Sequence, residues 1–224
     1  MPMPCVRHLI VCEGDSEYAY LQRLQSFLEP QTPDLRLVFS ASSEIAGNGT
    51  FGVVKSAFNR TRRNQRCASI QIWIDFDLYH RNERGCAKAY AKKPEGIPDF
   101  HFSFHNFEDF LALHWSGEQF AAWLRYGSPA GRNHFAAPLH ARDYVPEIKR
   151  IFPDYQKGAL SPDFISWASL QNLKANLHLQ PSSNPHNLQG IRSFAAFLID
   201  QIEHAYPGKL SPASVSAATP PSSP

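Results

Sequence analysis

Residues 7–14, RHLIVCEG, decide how this chain reads: an apolar run that stops at an acid and a glycine. The aliphatic and β-branched residues of HLIVC argue for a buried strand, and Glu13-Gly14 marks its carboxyl end. Residues 69–77, SIQIWIDFD, repeat the device, with an apolar run closed by Asp75-Phe76-Asp77. In an open α/β sheet, ligands gather beyond the carboxyl ends of the strands. Two such runs would bring three negative oxygen donors to one edge, the donor set that hard divalent cations take. Glu13, Asp75 and Asp77 thus point to a Mg2+ site, with Mn2+ as the alternative ion. The commonest enzymatic use of such a site is phosphoryl or phosphodiester chemistry.

The segments around these signatures alternate between strand and helix. After Gly14, residues 16–30 place Leu21, Leu24, Phe27 and Leu28 at helical spacing, with Asp15 or Ser16 as cap and Pro30 as stop. LRLVF (35–39) reads as a second strand, followed by a polar, glycine-bearing loop. A helix is then expected over about 51–65, with Val54 and Phe58 inward and arginines outward. Residues 69–74 form the third strand, and 84–93 read as helical. In DFHFSF (99–104) phenylalanines alternate with His101 and Ser103, the period of a fourth strand. Asn106 caps a helix over FEDFLALHW, so Asn-Phe-Glu opens a helix directly beyond a strand end. Four strands alternating with helices predict an α/β fold with a mainly parallel four-stranded sheet flanked by helices. From residue 117 the pattern is helical, ending in a stripe of Ile191, Phe194, Phe197, Leu198 and Ile202. The expected organisation is an α/β core over 1–116, a helical extension packed on it over 117–206, and a disordered Pro/Ser/Ala-rich tail over 207–224.

Length and composition set bounds on this reading. A chain of 224 residues can bury one sizeable core. The formal net charge of +2 implies no partner by itself, but its distribution is uneven. Residues 45–74 contain no acid, yet hold Lys55, Arg60, Arg62, Arg63 and Arg66, a block suited to phosphate contacts or to a solvated helix face. The four cysteines form no C-x-x-C pair and no zinc-like cadence, so reduced thiols are expected, with Cys12 buried. No apolar stretch approaches the roughly 18 residues a membrane span needs, and Glu13 interrupts any signal-peptide pattern, so a cytoplasmic location is the expectation.

The combination of motifs resembles the Toprim domain, the four-stranded fold shared by topoisomerases, primases and several nucleases. The resemblance rests on Glu-Gly after the first strand and Asp-x-Asp after the third. VCEGDSEYAYLQRL (11–24) is similar to the amino-terminal signature of the RloB-like branch, and HNFEDFLALHW (105–115) to its later aromatic-glutamate-helix-histidine element. FPDYQK (152–157) resembles its tyrosine-lysine element, and residues 184–202 its closing helix. The chain departs from the pattern in having Leu78, Tyr79 and His80 where a further acid commonly follows the aspartate pair, with Glu83 the nearest substitute. Phe110 replaces a usual tryptophan, and His105-Asn106 a usual proline-cysteine.

The resemblance implies a magnesium-dependent nuclease cleaving DNA or RNA, employed in bacterial antiviral defence beside an ATPase partner, with self-association a further expectation. Glu13 would be general acid or base or a metal ligand, and Asp75 and Asp77 would hold the metal. Glu108 joins the metal set, and Lys157 would stabilise the transition state. Gly14 would let the backbone turn tightly toward a phosphate. Glu17 would aid the metal and substrate, or simply complement the helix dipole. Arg60, Arg62, Arg63 and Arg66 would contact the substrate backbone without reading sequence. His114 reads better as a packed histidine, and His101 with His105 forms a weaker transition-metal alternative. Two other functions stay open: a catalytically weak Toprim-like regulatory or nucleic-acid-binding subunit of an ATPase-containing system, and a phosphatase or nucleotidyl transferase using the same acids.

Overall fold

The structure is a computed structural model that describes residues 6–31, 37–41, 56, 59–60, 69–75, 100–103, 107–126, 141–156, 159–179 and 192–211. Its strands are β1 (Val6–Cys12), β2 (Leu37–Ala41), β3 (Ser69–Asp75), β4 (Phe100–Ser103) and the two-residue β5 (Arg192–Ser193). They lie in the order β2-β1-β3-β4-β5, and every pairing is parallel. The helices are α1 (Asp15–Leu28), α2 (Phe107–Ala112), α3 (Gly117–Tyr126), α4 (Ala141–Ile151), α5 (Trp167–Leu177) and α6 (Phe194–Ala205). A 3₁₀ turn, Glu29–Gln31, follows α1. This is the expected α/β architecture: a parallel sheet flanked by helices, with a helical carboxyl-terminal half. β5 is the addition that the sequence did not announce.

In β1, Leu9, Ile10, Val11 and Cys12 are all buried, so both faces of this central strand are covered, as parallel sheets require. Register places Cys12 beside Trp73, and Trp73 beside His101. Around Trp73 an aromatic layer closes the core. Phe194 of α6 stacks on it at a centroid distance of 3.8 Å, while Phe110 of α2 and Tyr20 of α1 meet it edge-on at 5.0 and 5.7 Å. Rings of this kind remove about 150–250 Å² each from water, roughly 4–6 kcal/mol apiece at 25 cal/mol per Å². Helices α1, α2 and α6 are thereby fastened to one sheet face through a single side chain.

The same face carries a polar chain across three strands. His8 Nδ1 lies 3.0 Å from Ser69 Oγ, Gln71 Nε2 donates to Ser69 Oγ at 2.5 Å, and His101 Nε2 lies 3.0 Å from Gln71 Oε1. Phe197 covers both histidine rings, at 5.5 and 4.5 Å. His101 is thus engaged within the sheet through Nε2, while His105, the other half of the transition-metal alternative, lies outside the described residues.

Several boundaries differ from expectation. The α1 cap is Gly14, whose conformation is extended (φ −150°, ψ −174°) and which provides no side-chain bond, in place of Asp15 or Ser16. β2 is described over Leu37–Ala41, where Val6 opposes Leu37 and His8 opposes Phe39, while residues 35 and 36 of LRLVF lie outside the described residues. Helix α6 begins at Phe194 and not earlier, since Arg192 and Ser193 pair with β4 at the sheet edge. Residues 207–211, expected as the start of a disordered tail, fold back as a turn. Gly208 takes the left-handed conformation at φ +80°, Leu210 is buried, and Gln171 Nε2 donates to the carbonyls of Lys209 and Ser211 at 3.0 and 3.1 Å. Of the helix expected over 51–65, only Ser56, Asn59 and Arg60 are described, and all three are helical. The helix read over 84–93 and residues 212–224 lie outside the described residues. Among the described residues, no helix is long and apolar enough to cross a membrane.

The helical half is tied to the sheet layer by buried polar bonds. Asn176 of α5, 2% exposed, donates to the carbonyls of Leu113 and Trp115 at 3.0 and 2.9 Å, satisfying backbone groups left over where α2 ends. Helix α5 itself opens on a capping box between Ser166 and Ser169. His114 is packed in this region, with its Nε2 3.1 Å from the Tyr20 hydroxyl. Burial lowers its pKa to about 3.

Candidate carboxylate site at the sheet switch point

Strand order 2-1-3-4 means that the chain leaves β1 in one direction, toward β2, and resumes on its other side at β3. The crevice between the carboxyl ends of β1 and β3 is therefore the topological switch point, where open α/β sheets bind their ligands. Glu13 follows the last residue of β1, and Asp75 is the last residue of β3. The Asp75 backbone N–H donates to Glu13 Oε2 at 2.9 Å. The acid that closes the first apolar run is thereby fastened to the acid that closes the second.

Two further carboxylates stand behind this pair. Glu17 occupies the third position of α1, from which a glutamate can reach back to the cap. Its carboxylate takes backbone hydrogen bonds from Gly14 and from its own N–H. It is nevertheless 4% exposed, and burial, reinforced by the negative charges of Glu13 and Glu108, raises its pKa to about 8. Glu17 is therefore a buried member of the cluster and not a solvated partner of the helix dipole. Glu108 enters from the first turn of α2, also buried. Tyr155 donates its hydroxyl to Glu108 Oε1 at 2.9 Å, and Tyr144 of α4 is hydrogen-bonded to the same carboxylate.

Gly14 lies at the centre of this arrangement for a reason other than a tight turn. Its extended backbone is open to any residue, but a Cβ built on it would stand 3.3 Å from Glu17 Oε2. Close approach of the Glu17 carboxylate, not a left-handed conformation, is what the glycine allows.

Of the residues singled out in the sequence, Glu13, Gly14, Glu17, Asp75 and Glu108 are gathered here. Arg60 is an exposed helical residue. Asp77, Lys157, Arg62, Arg63 and Arg66 lie outside the described residues. Sequence reasoning missed Tyr144 altogether. It noticed Tyr155 only as the tyrosine of the tyrosine-lysine element, with no role assigned. Asp109 was missed as well: buried next to Glu108, it accepts from Trp123 Nε1 at 2.8 Å and so joins α2 to α3.

The donor chemistry suits a hard divalent cation. All four donors are carboxylates; burial, and after it the charges of Glu13 and Glu108, raises Glu17, and a hard cation takes such oxygen donors. Among the described residues, no group of three His, Cys, Asp or Glu side chains is already assembled to hold a metal ion. Comparison of the chain with family models, with curated proteins and with solved structures finds no match.

Proposed function

We propose that this chain is a metal-dependent Toprim-type nuclease of the RloB-like branch, hydrolysing phosphodiester bonds in DNA or RNA. The observation that carries the reading is the 2.9 Å bond from the Asp75 N–H to Glu13 Oε2, which unites the two acidic signatures at the switch point. Glu13 and Asp75, with Asp77, would hold the ion, and Glu108 would join them. A bound Mg2+ or Mn2+ supplies Lewis-acid polarisation of a phosphoryl oxygen and lowers the pKa of a water. Glu13 is the acid nearest the fixed Asp75 backbone and takes the proton of the attacking water or acts as ligand. Glu17, with its pKa near 8, keeps a proton at neutral pH and so limits the charge of the cluster. Arg60, with Arg62, Arg63 and Arg66, supplies backbone phosphate contacts. The resemblance that motivates this reading also implies a role in antiviral defence beside an ATPase partner.

The test uses the purified full chain with DNA and RNA substrates and Mg2+ or Mn2+. Glu13→Gln and Asp75→Asn should each lower the cleavage rate by roughly 100-fold or more, the scale of losing a general base or a ligand. Cleavage that survives both substitutions would overturn the assignment. Tight carboxylate-dependent metal binding without turnover on any nucleic acid would instead favour the regulatory subunit.

A further inference from the structure

Every residue of α2 is buried, so Glu108 is a desolvated carboxylate in a six-residue helix. Its hydrogen-bond donors come from another part of the chain. Tyr144 lies on α4 and Tyr155 in the turn beyond it, and both rings are 6% exposed. Both phenols are pushed above their ordinary range, first by burial and then by the Glu108 charge, so they remain protonated donors. The charges of Asp75 and Asp109 also act on Tyr144. Glu108 in turn acts electrostatically on Glu17. Packing alone would be served by phenylalanine at 144 and 155. A buried hydroxyl is costly unless it meets a partner, and here both meet the same carboxylate.

We propose that Tyr144 and Tyr155 are positioning residues of the carboxylate site, a pair of hydroxyl donors that hold Glu108 in one orientation beside Glu17, Glu13 and Asp75. The segment of α4 and the turn after it then completes a site that the sheet edge only begins. This rests on reading the cluster as a divalent-cation site. Asp109 provides a contrast, because its buried bond from Trp123 joins helix to helix.

The experiment titrates the full-length protein with Mn2+ alone and follows free Mn2+ by electron paramagnetic resonance. Thermal midpoints of every variant are recorded alongside. Tyr155→Phe and Tyr144→Phe should each weaken Mn2+ binding by roughly 10–100-fold, the usual effect of removing a hydrogen-bond partner of a metal-site carboxylate. In a Glu108→Gln background, Tyr155→Phe should add less than about twofold, because the two act as one unit. Trp123→Phe should lower the thermal midpoint and leave Mn2+ affinity within about twofold of wild type. If both tyrosine variants bind like wild type while Glu13→Gln and Asp75→Asn lose Mn2+, the tyrosines are structural and the inference is overturned. If wild type binds no Mn2+, or Glu13→Gln and Asp75→Asn bind it unchanged, the metal reading fails and takes the inference with it. Should Tyr155→Phe not fold, Tyr144→Phe against Glu108→Gln provides the same decision.

Discussion

Replacing Glu17 with glutamine should make the protein more stable, by a margin that grows as pH rises from about 4.5 and levels off above about 8. Glu17 is raised from 4.5 to about 8, chiefly by burial and then by the charges of Glu13 and Glu108. A carboxyl whose pKa is higher folded than unfolded favours the folded state while both states are protonated, below pH 4.5. Between 4.5 and 8 the unfolded chain sheds the proton and the folded chain retains it, so stability falls as pH rises and the contribution is lost through pH 8. At 1.36 kcal/mol per pK unit the full span is worth roughly 5 kcal/mol, a ceiling that relaxation of the neighbouring carboxylates lowers. Glutamine keeps the shape and the acceptor oxygen but never ionises. Urea unfolding of wild type and Glu17→Gln at intervals from pH 5 to 8.5, in the absence of metal, measures the difference directly. The two should agree within about 1 kcal/mol at pH 5, and the variant should lead by roughly 3–5 kcal/mol at pH 8.5. Subtracting the curves removes His114, which is lowered to about 3 and works oppositely, destabilising the fold as pH drops below 6.5. Parallel curves, separated by less than about 1 kcal/mol throughout, would refute the claim that Glu17 is a desolvated member of a crowded carboxylate cluster.

Two other substitutions probe the frame around the site. Ser103→Ala removes the acceptor that lies 2.8 Å from Trp73 Nε1 in a fully buried setting, and should destabilise the protein by about 1–3 kcal/mol in urea unfolding. A loss under about 0.5 kcal/mol would show that the indole finds another partner. Gly14→Ala keeps an accessible backbone conformation and meets only the Glu17 carboxylate at 3.3 Å, so stability should change by about 1 kcal/mol or less. A loss beyond about 3 kcal/mol would mean that the backbone itself requires glycine there.

How far the fold could be read from the sequence depended on whether a segment's pattern was set locally. HLIVC and SIQIWI stood out because strands buried on both faces lose polar alternation and become continuous apolar runs. Helix α1 was legible from Leu21, Leu24 and Leu28, all of which are buried. β2 was legible from the apolar Leu37, Val38 and Phe39, and it pairs with β1 through Leu37–Ala41. β5 had no signal: two residues carry no periodicity, and only the open edge of β4 makes Arg192 and Ser193 a strand. The lateral chain of His8, Ser69, Gln71 and His101, which satisfy one another beneath Phe197, had no signal either. A hydrogen bond between neighbouring strands leaves no trace in the order of residues along either one.

The site divides along the same line. Glu13 and Asp75 were legible because each ends an apolar run, and the geometry of parallel sheets carries strand ends of that kind to a common edge. Glu17 was visible but ambiguous. A glutamate three residues past a cap satisfies the helix terminus equally well in water or in a core, and it is the burial of Glu17 that decides between them. Tyr144 and Tyr155 lie 36 and 47 residues from Glu108, on a segment whose own pattern is that of an ordinary amphipathic helix and turn. Hydrophobic pattern does not distinguish either from a core aromatic, and Phe at either position would preserve it. What distinguishes them is one oxygen atom each, and the reason for that oxygen lies on another helix. A buried acid found by sequence therefore raises a definite question for the structure: which donors reach it, and from where. At Glu108 both donors come from the helical half, so the carboxylate site is a joint product of the sheet edge and the segment that follows it.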